Sequence, residues 1–144
     1  MSGDQDRRLF GRPPLLRVRV RPLGFEIVES EEQVSQIEGY VLAWKAIRKL
    51  FLDGALSCQS DNGVVARDGT VCEKCRHPLC RPQIRLRLAD RHVHYLIDLA
   101  VSSAHNFLAL ESAMVREGFR LAEVELRLTV KDRGYFGEVC FERV

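Results

Sequence analysis

The stretch SCQSDNGVVARDGTVCEKCRHPLCRP (Ser57–Pro82) holds four of the chain's five cysteines. Its reading decides whether the remaining sequence is one β body carrying an insert. The spacing runs Cys58, thirteen residues, Cys72, two residues, Cys75, four residues, Cys80. Two thiolates separated by two residues can bind one metal ion from a tight turn, and two more from flanking loops complete a tetrahedron, which zinc accepts without redox cost. A structural zinc knuckle over 57–82 is expected, with Cys58, Cys72, Cys75 and Cys80 as ligands. Two disulfides would suit a secreted chain, but Met1–Pro14 is polar and arginine-bearing, without the apolar run of a signal peptide. An iron–sulfur cluster takes the same ligands, usually at other spacings. His77 could replace one cysteine, although Cys80 completes the set without it.

Outside this stretch the dominant signal is alternation. LLRVRVR (Leu15–Arg21) sets Leu16, Val18 and Val20 against Arg17, Arg19 and Arg21, a half-buried strand with a cationic outer face. That row is either a solvated edge that resists edge-to-edge pairing or a phosphate-tracking stripe. Pro22-Leu23-Gly24 turns the chain into a second short strand, Phe25–Val28. From Glu26 to Glu38 there are five acidic residues and no basic one, a patch expected to face away from any nucleic-acid groove. Gly39–Phe51 fits both periods: Val41, Trp44, Ile47 and Leu50 make a helical stripe, Tyr40, Leu42 and Trp44 a strand face. A strand over Glu38–Trp44 is expected, with a short helix or turn to follow. Trp44 is a core residue or a base-stacking platform beside Lys45, Arg48 and Lys49.

After the cysteines, Ile84, Leu86 and Leu88 alternate with Arg85 and Arg87. Asp90-Arg91 is expected to turn the chain into a returning strand, His92–Val101, with Val93, Tyr95, Ile97 and Leu99 on one face. His92 and His94 share the other face with Asp98, a weak metal-binding pattern beside four thiols. Ser102-Ser103 reads as an N-cap and Gly118 as the C′ glycine of a helix with Phe107, Leu110 and Met114, supported by Leu108 and Val115, on its apolar stripe. Val124–Val130 and Tyr135–Val144 read as closing strands across a turn at residues 131–134, and Cys140 as a small core residue.

Composition limits the partners. At 144 residues the chain is one domain by length, its hydrophobic fraction of 46% and charged fraction of 29% ordinary for a globular protein. The division expected is an N-terminal arm over 1–14 and a single domain over 15–144. A net charge of +2 makes any nucleic-acid footprint local. Of 22 basic residues only four are lysines, and arginine forks onto phosphate and stacks on bases. No apolar run approaches the roughly 20 residues of a membrane span, and a thiol-bound metal implies a reducing, cytoplasmic setting. GxSxG, P-loop, HExxH and deaminase patterns are absent, and a closed tetrathiolate leaves no position for an activated water, so an enzyme is not expected.

This inventory predicts a mainly β protein with one helix, of the α+β class: a small antiparallel barrel of the oligonucleotide-binding (OB) type, or a curved sheet, with an inserted zinc knuckle. From Ile37 onward the order IEGYVLAWKAIRKLF, CQSDNG, CEKC, Cys80, IRLRL and SSAHNFL resembles small zinc-cysteine proteins of phages and integrated mobile elements. A zinc site in an OB barrel is also similar to the single-stranded DNA-binding proteins of T-even phages, which use a histidine ligand and a different order. The resemblance implies an accessory of replication or recombination on single-stranded DNA, working with replication or recombination proteins or with further copies of itself. From the residues themselves the candidate phosphate contacts are Arg17, Arg19, Arg21, Lys49, Arg85, Arg87 and Arg133. Trp44, Tyr95, Tyr135 and Phe136 are the candidate stacking groups. The competing expectation is a zinc-stapled adaptor whose arginine faces meet an acidic protein.

Overall fold

Nine strands form one curled, open half-barrel sheet in a computed structural model that describes residues 13–75 and 77–144. They are β1 (Leu15–Arg21), β2 (Gly24–Ile27), β3 (Glu32–Val34), β4 (Gln36–Leu52), β5 (Ala55–Ser60), β6 (Cys80–Ala89), β7 (His94–Leu99), β8 (Leu126–Asp132) and β9 (Gly137–Arg143). Two helices join them, the single turn α1 (Cys72–Cys75) and the long α2 (Val101–Arg116). The spatial order is β3-β2-β1-β7-β6-β4-β8-β9, with β5 on the free flank of β4. The molecule is therefore mainly β with one substantial helix. Of the expected arm, residues 1–12 lie outside the described residues. Pro14, just ahead of β1, accepts the His94 N–H through its carbonyl at 2.8 Å.

β4 organises the sheet, and it corrects the expectation of a turn or helix after Trp44. Its first residues, Gln36–Gly39, pair with β8, and Tyr40–Leu50 pair with β6. At the crossing a Cβ on Gly39 would stand 2.7 Å from the Ala89 carbonyl oxygen, so the close approach requires glycine. A register shift between Val41 and Ala43 then changes which parity faces inward: Val41 is opposite Leu88, but Trp44 is opposite Leu86. Ile47, on the opposite face from Trp44, is buried as well. A bulge plus cover on both faces thus spaces apolar residues at 41, 44, 47 and 50, which imitates a helical stripe.

The inward rows predicted for β1, β6 and β7 meet in one core. Val18, Leu86, Leu88, Ile97 and Leu99 are buried there with Phe25, Leu126, Leu128 and Val139. Each large apolar side chain so buried contributes about 1.5–3 kcal/mol. α2 covers the core with Phe107 and Met114, while Leu108 and Val115, expected to support that stripe, are exposed. Gly118 does act as the C′ glycine. At φ 85° it lets its own N–H reach the Val115 carbonyl (3.0 Å) and the Phe119 N–H reach the Met114 carbonyl (2.9 Å), a Schellman end. The N-terminal expectation fails, because the N-cap is Ala100, without a side-chain bond. Ser103 lies inside the helix and is buried; its Oγ accepts the Val139 N–H at 2.8 Å, while the Asn106 side-chain amide donates to the Val139 carbonyl at 2.9 Å. Helix polar groups thereby satisfy the outer edge of β9. Among the described residues no helix is long and apolar enough to cross a membrane.

Candidate nucleic-acid interface and thiol cavity

The outer face of β1, β7, β6 and β4 carries an open groove of about 580 Å³, and β9's entry loop forms one wall. Arg17, Arg19 and Arg21 reach it from β1, Lys49 from β4, Arg85 from β6, and Tyr135 and Phe136 from the loop before β9. Seven of the eleven residues expected to contact nucleic acid are thus brought together, five cations and two aromatics, with Asp98 as the carboxylate in the lining. Tyr135 is 92% exposed, and its ring lies 5.5 Å from that of Phe136, tilted by 57°. The loop that presents them is held by Gly134 at φ 101°, by the Asp132 carboxylate accepting the Gly134 N–H (2.8 Å), and by the Arg133 N–H donating to the Phe136 carbonyl (3.0 Å).

The other four candidates lie outside the groove lining. Trp44 packs edge-on against Phe107 at 5.5 Å on the core side of the sheet, half-exposed. Arg87 shares the outer face of β6 with Arg85 but hydrogen-bonds His94 Nδ1 through Nε (3.2 Å). Tyr95 packs against the core, and its hydroxyl donates to Asp90 at 3.4 Å; burial first, then the Asp90 charge, raises its pKa. It lines a separate cleft of about 810 Å³ with Glu38, Tyr40 and His92. Arg133 pairs with Glu138 at 3.2 Å.

Two groups of carboxylates hold the cations. Two residues of the acidic run, Glu26 and Glu29, fold onto the arginine row, although neither lines the groove. Antiparallel pairing sets Glu26 opposite Arg19, with its carboxylate 3.6 Å from Arg19 and 3.3 Å from Arg21. Glu29 accepts from the Arg17 backbone N–H (3.0 and 2.9 Å) and from its Nε (2.9 Å), bonds that hold its carboxyl below the ordinary range. All three arginines stay more than half exposed, so solvent screens these pairs and each guanidinium stays open to exchange.

Deeper in the groove Asp98 receives a bidentate fork from Arg85 (2.8 and 3.1 Å) and a hydrogen bond from Lys49. Burial pushes the Asp98 carboxyl up, but the bonds and charges of Arg85 and Lys49 together outweigh it and hold the group low. Arg85 also lies 3.9 Å from Asp61, which Arg67 grips through two bonds (2.8 and 2.9 Å). The Arg67 bond, helped by one from Gln59, lowers the Asp61 pKa to about 2.

Behind the groove, on the other face of β4, Cys58, Cys72, Cys75 and Cys80 all line one cavity of about 210 Å³. Cys58 comes from β5 and Cys80 from the start of β6, both opposite Leu50 of β4. Cys72 and Cys75 sit on the single turn α1 rather than on an open turn. The insert is shaped by local polar bonds: Asn62 accepts the Val64 and Val65 N–H groups (2.8 and 3.0 Å), Val65 bridges Val71, and the Cys72 N–H reaches the Val64 carbonyl at 2.8 Å. All four thiols are free, and Cys58 is pushed up by burial, then by Asp68 and the three other cysteines. Among the described residues no group of three or more His, Cys, Asp or Glu stands close enough to hold a metal ion in this conformation. The four cysteines that line the cavity are the donor type that a tetrathiolate site uses. Arg48 lines the cavity with a buried Nε that finds no hydrogen-bond partner among the described residues, which suits an anionic occupant.

Asp98, Asp61 and Arg67 are site residues that sequence patterning missed. Asp98 was readable in principle from cross-strand pairing with Arg85. A two-residue turn at Asp90-Arg91 misplaces that register by two positions, because Asp90 accepts the His92 and Val93 N–H groups (2.7 and 2.8 Å) and makes the loop four residues long. A scan against protein-family models and searches of characterised proteins and of solved structures find no match to this chain.

Proposed function

We propose that the protein is a non-catalytic, sequence-tolerant binder of single-stranded nucleic acid, DNA in the first instance, and that the basic groove is its binding surface. The observation that carries this reading is the convergence of Arg17, Arg19, Arg21, Lys49 and Arg85 with Tyr135 and Phe136 in one open groove. Cations track the phosphates, and aromatic faces stack bases without regard to sequence. We read the body as OB-like. In such a barrel the second and third strands, with the loops joining strands one to two and four to five, hold the oligonucleotide. β4, β6, β7, β8 and β9 are taken as those five strands; β5 and the cysteine insert then fall in the first loop and Tyr135-Phe136 in the last. A cytoplasmic accessory role in replication or recombination, for a phage or mobile element, accords with this surface.

Cys58, Cys72, Cys75 and Cys80 would hold a structural zinc ion. When bound, zinc supplies cross-linking of β5, α1 and β6, which fixes where the Arg85 strand leaves the insert. The test of function compares fluorescence anisotropy of a labelled oligo-dT with wild-type protein, with Arg17→Ala/Arg19→Ala/Arg21→Ala, and with Tyr135→Ala. Removing three phosphate contacts should weaken binding at least tenfold at low salt, and Tyr135→Ala should cost about 1–3 kcal/mol. Unchanged affinity in both variants would remove the groove from the account. Indifference to oligonucleotide, with a stable complex to an acidic protein, would instead support the adaptor.

A further inference from the structure

Arg48 and Lys49 are neighbours on β4, and strand alternation sends them to opposite faces, Lys49 into the basic groove and Arg48 into the wall of the thiol cavity. A guanidinium stays charged at every pH at which the fold persists. The Arg48 Nε is buried without a hydrogen-bond partner among the described residues, and its Nη2 reaches the Cys80 carbonyl oxygen at 3.5 Å, at the limit of a hydrogen bond. Leaving a charged donor so poorly satisfied is unfavourable. Of the other polar groups lining the cavity, Asp68 accepts the Thr70 N–H at 2.9 Å and His77 Nδ1 accepts the Leu79 N–H at 3.1 Å, and neither bonds the Arg48 Nε. Arg48 shares the cavity lining with all four cysteines.

Neutral thiols are weak acceptors and do not balance a cation. Four thiolates around a divalent metal carry two net negative charges and accept N–H bonds strongly. We infer that Arg48 is the charge-compensating positioning residue of a tetrathiolate metal centre at Cys58, Cys72, Cys75 and Cys80, its buried Nε–H donating to a ligand sulfur when the metal is bound. This rests on the zinc reading above, and it gives the buried Nε–H a charged acceptor that an apolar or disulfide-bonded cavity would not supply. An N–H bond to a coordinating sulfur withdraws electron density from it, so the residue tunes both the strength and the spectrum of the metal–thiolate bonds.

The experiment uses reduced, metal-stripped full-length protein and cobalt(II) as the probe, with zinc affinity read by competition against a chromogenic chelator. Wild type should take up one cobalt with the visible bands of a tetrahedral tetrathiolate. Arg48→Met should bind cobalt and zinc about 10–100-fold more weakly, and its sulfur-to-cobalt charge-transfer band should move to lower energy. Arg48→Lys should recover part of both changes. Arg48→Gln, which keeps a neutral N–H donor of similar bulk, carries the same comparison if Arg48→Met does not fold. Equal affinity and an unmoved band in the folded variants would overturn the role of Arg48 while leaving the metal centre in place. A wild-type protein that takes up neither cobalt nor zinc, with four titratable thiols, would overturn the centre itself.

Discussion

Glu29 takes hydrogen bonds from the Arg17 backbone and side chain, and Asp98 takes them from Arg85 and Lys49. The two carboxylates differ in what removal would do. Glu29 sits among half-exposed groups, whereas the Asp98, Arg85 and Lys49 side chains are each about four-fifths buried. Asp98→Asn would remove the carboxylate that Lys49 and Arg85 share, leaving Arg85 only the more distant Asp61, and should lower stability by about 1–3 kcal/mol in urea unfolding. It should also strengthen oligonucleotide binding, since a negative charge leaves the groove. The acid limb of stability has a defined sign. Asp61, lowered to about 2, and Asp98, also lowered, contribute stability that is present above the ordinary Asp pKa and lost as pH falls through their folded values. Asp61→Asn should therefore flatten the decline in stability between about pH 4 and pH 2, as followed by circular dichroism. Alternation showed which arginines point outward. It did not show that Glu26 and Glu29 return onto them, because that depends on the β1–β2 register and on where the chain goes after β2.

Among the elements, β1, β2, the strands β6 and β7 without their register, and the C-terminal end of α2 were legible, since each has an uninterrupted period or a terminating glycine. β4 was not. Its bulge at Val41–Ala43 and its double cover break the period of two, and the competing helical spacing was a by-product of both. The start of α2 was misread for a related reason. Ser103 has the chemistry of a cap, but its hydroxyl is used by β9, a partner 36 residues away that no local pattern reveals. Ser103→Ala leaves the Val139 N–H buried and unsatisfied, and should cost about 1–3 kcal/mol. Amide hydrogen exchange should then speed up along β9 first, with the β1–β7 ladder protected; uniform loss of protection would contradict this placement of the bond.

On the scale of the whole molecule, two surfaces stand back to back across β4: the basic groove on one face, the four-cysteine cavity on the other. The cysteine cluster was plain in the sequence because its donors lie within one short stretch. The groove was only half legible, since the residues that fill it come from β1, β4, β6 and the loop before β9. Their convergence follows from the parallel pairing of β1 with β7 and from the curl that brings Gly137 against Arg21, where a Cβ would stand 2.2 Å from the Arg21 carbonyl oxygen. The most direct test of the central claim is the salt dependence of oligo-dT binding by the wild-type protein. With three to five phosphates engaged, the logarithm of affinity should fall against the logarithm of salt with a slope of about −2 to −3.5. Absence of binding at low salt, or an affinity that does not change with salt, would contradict the account.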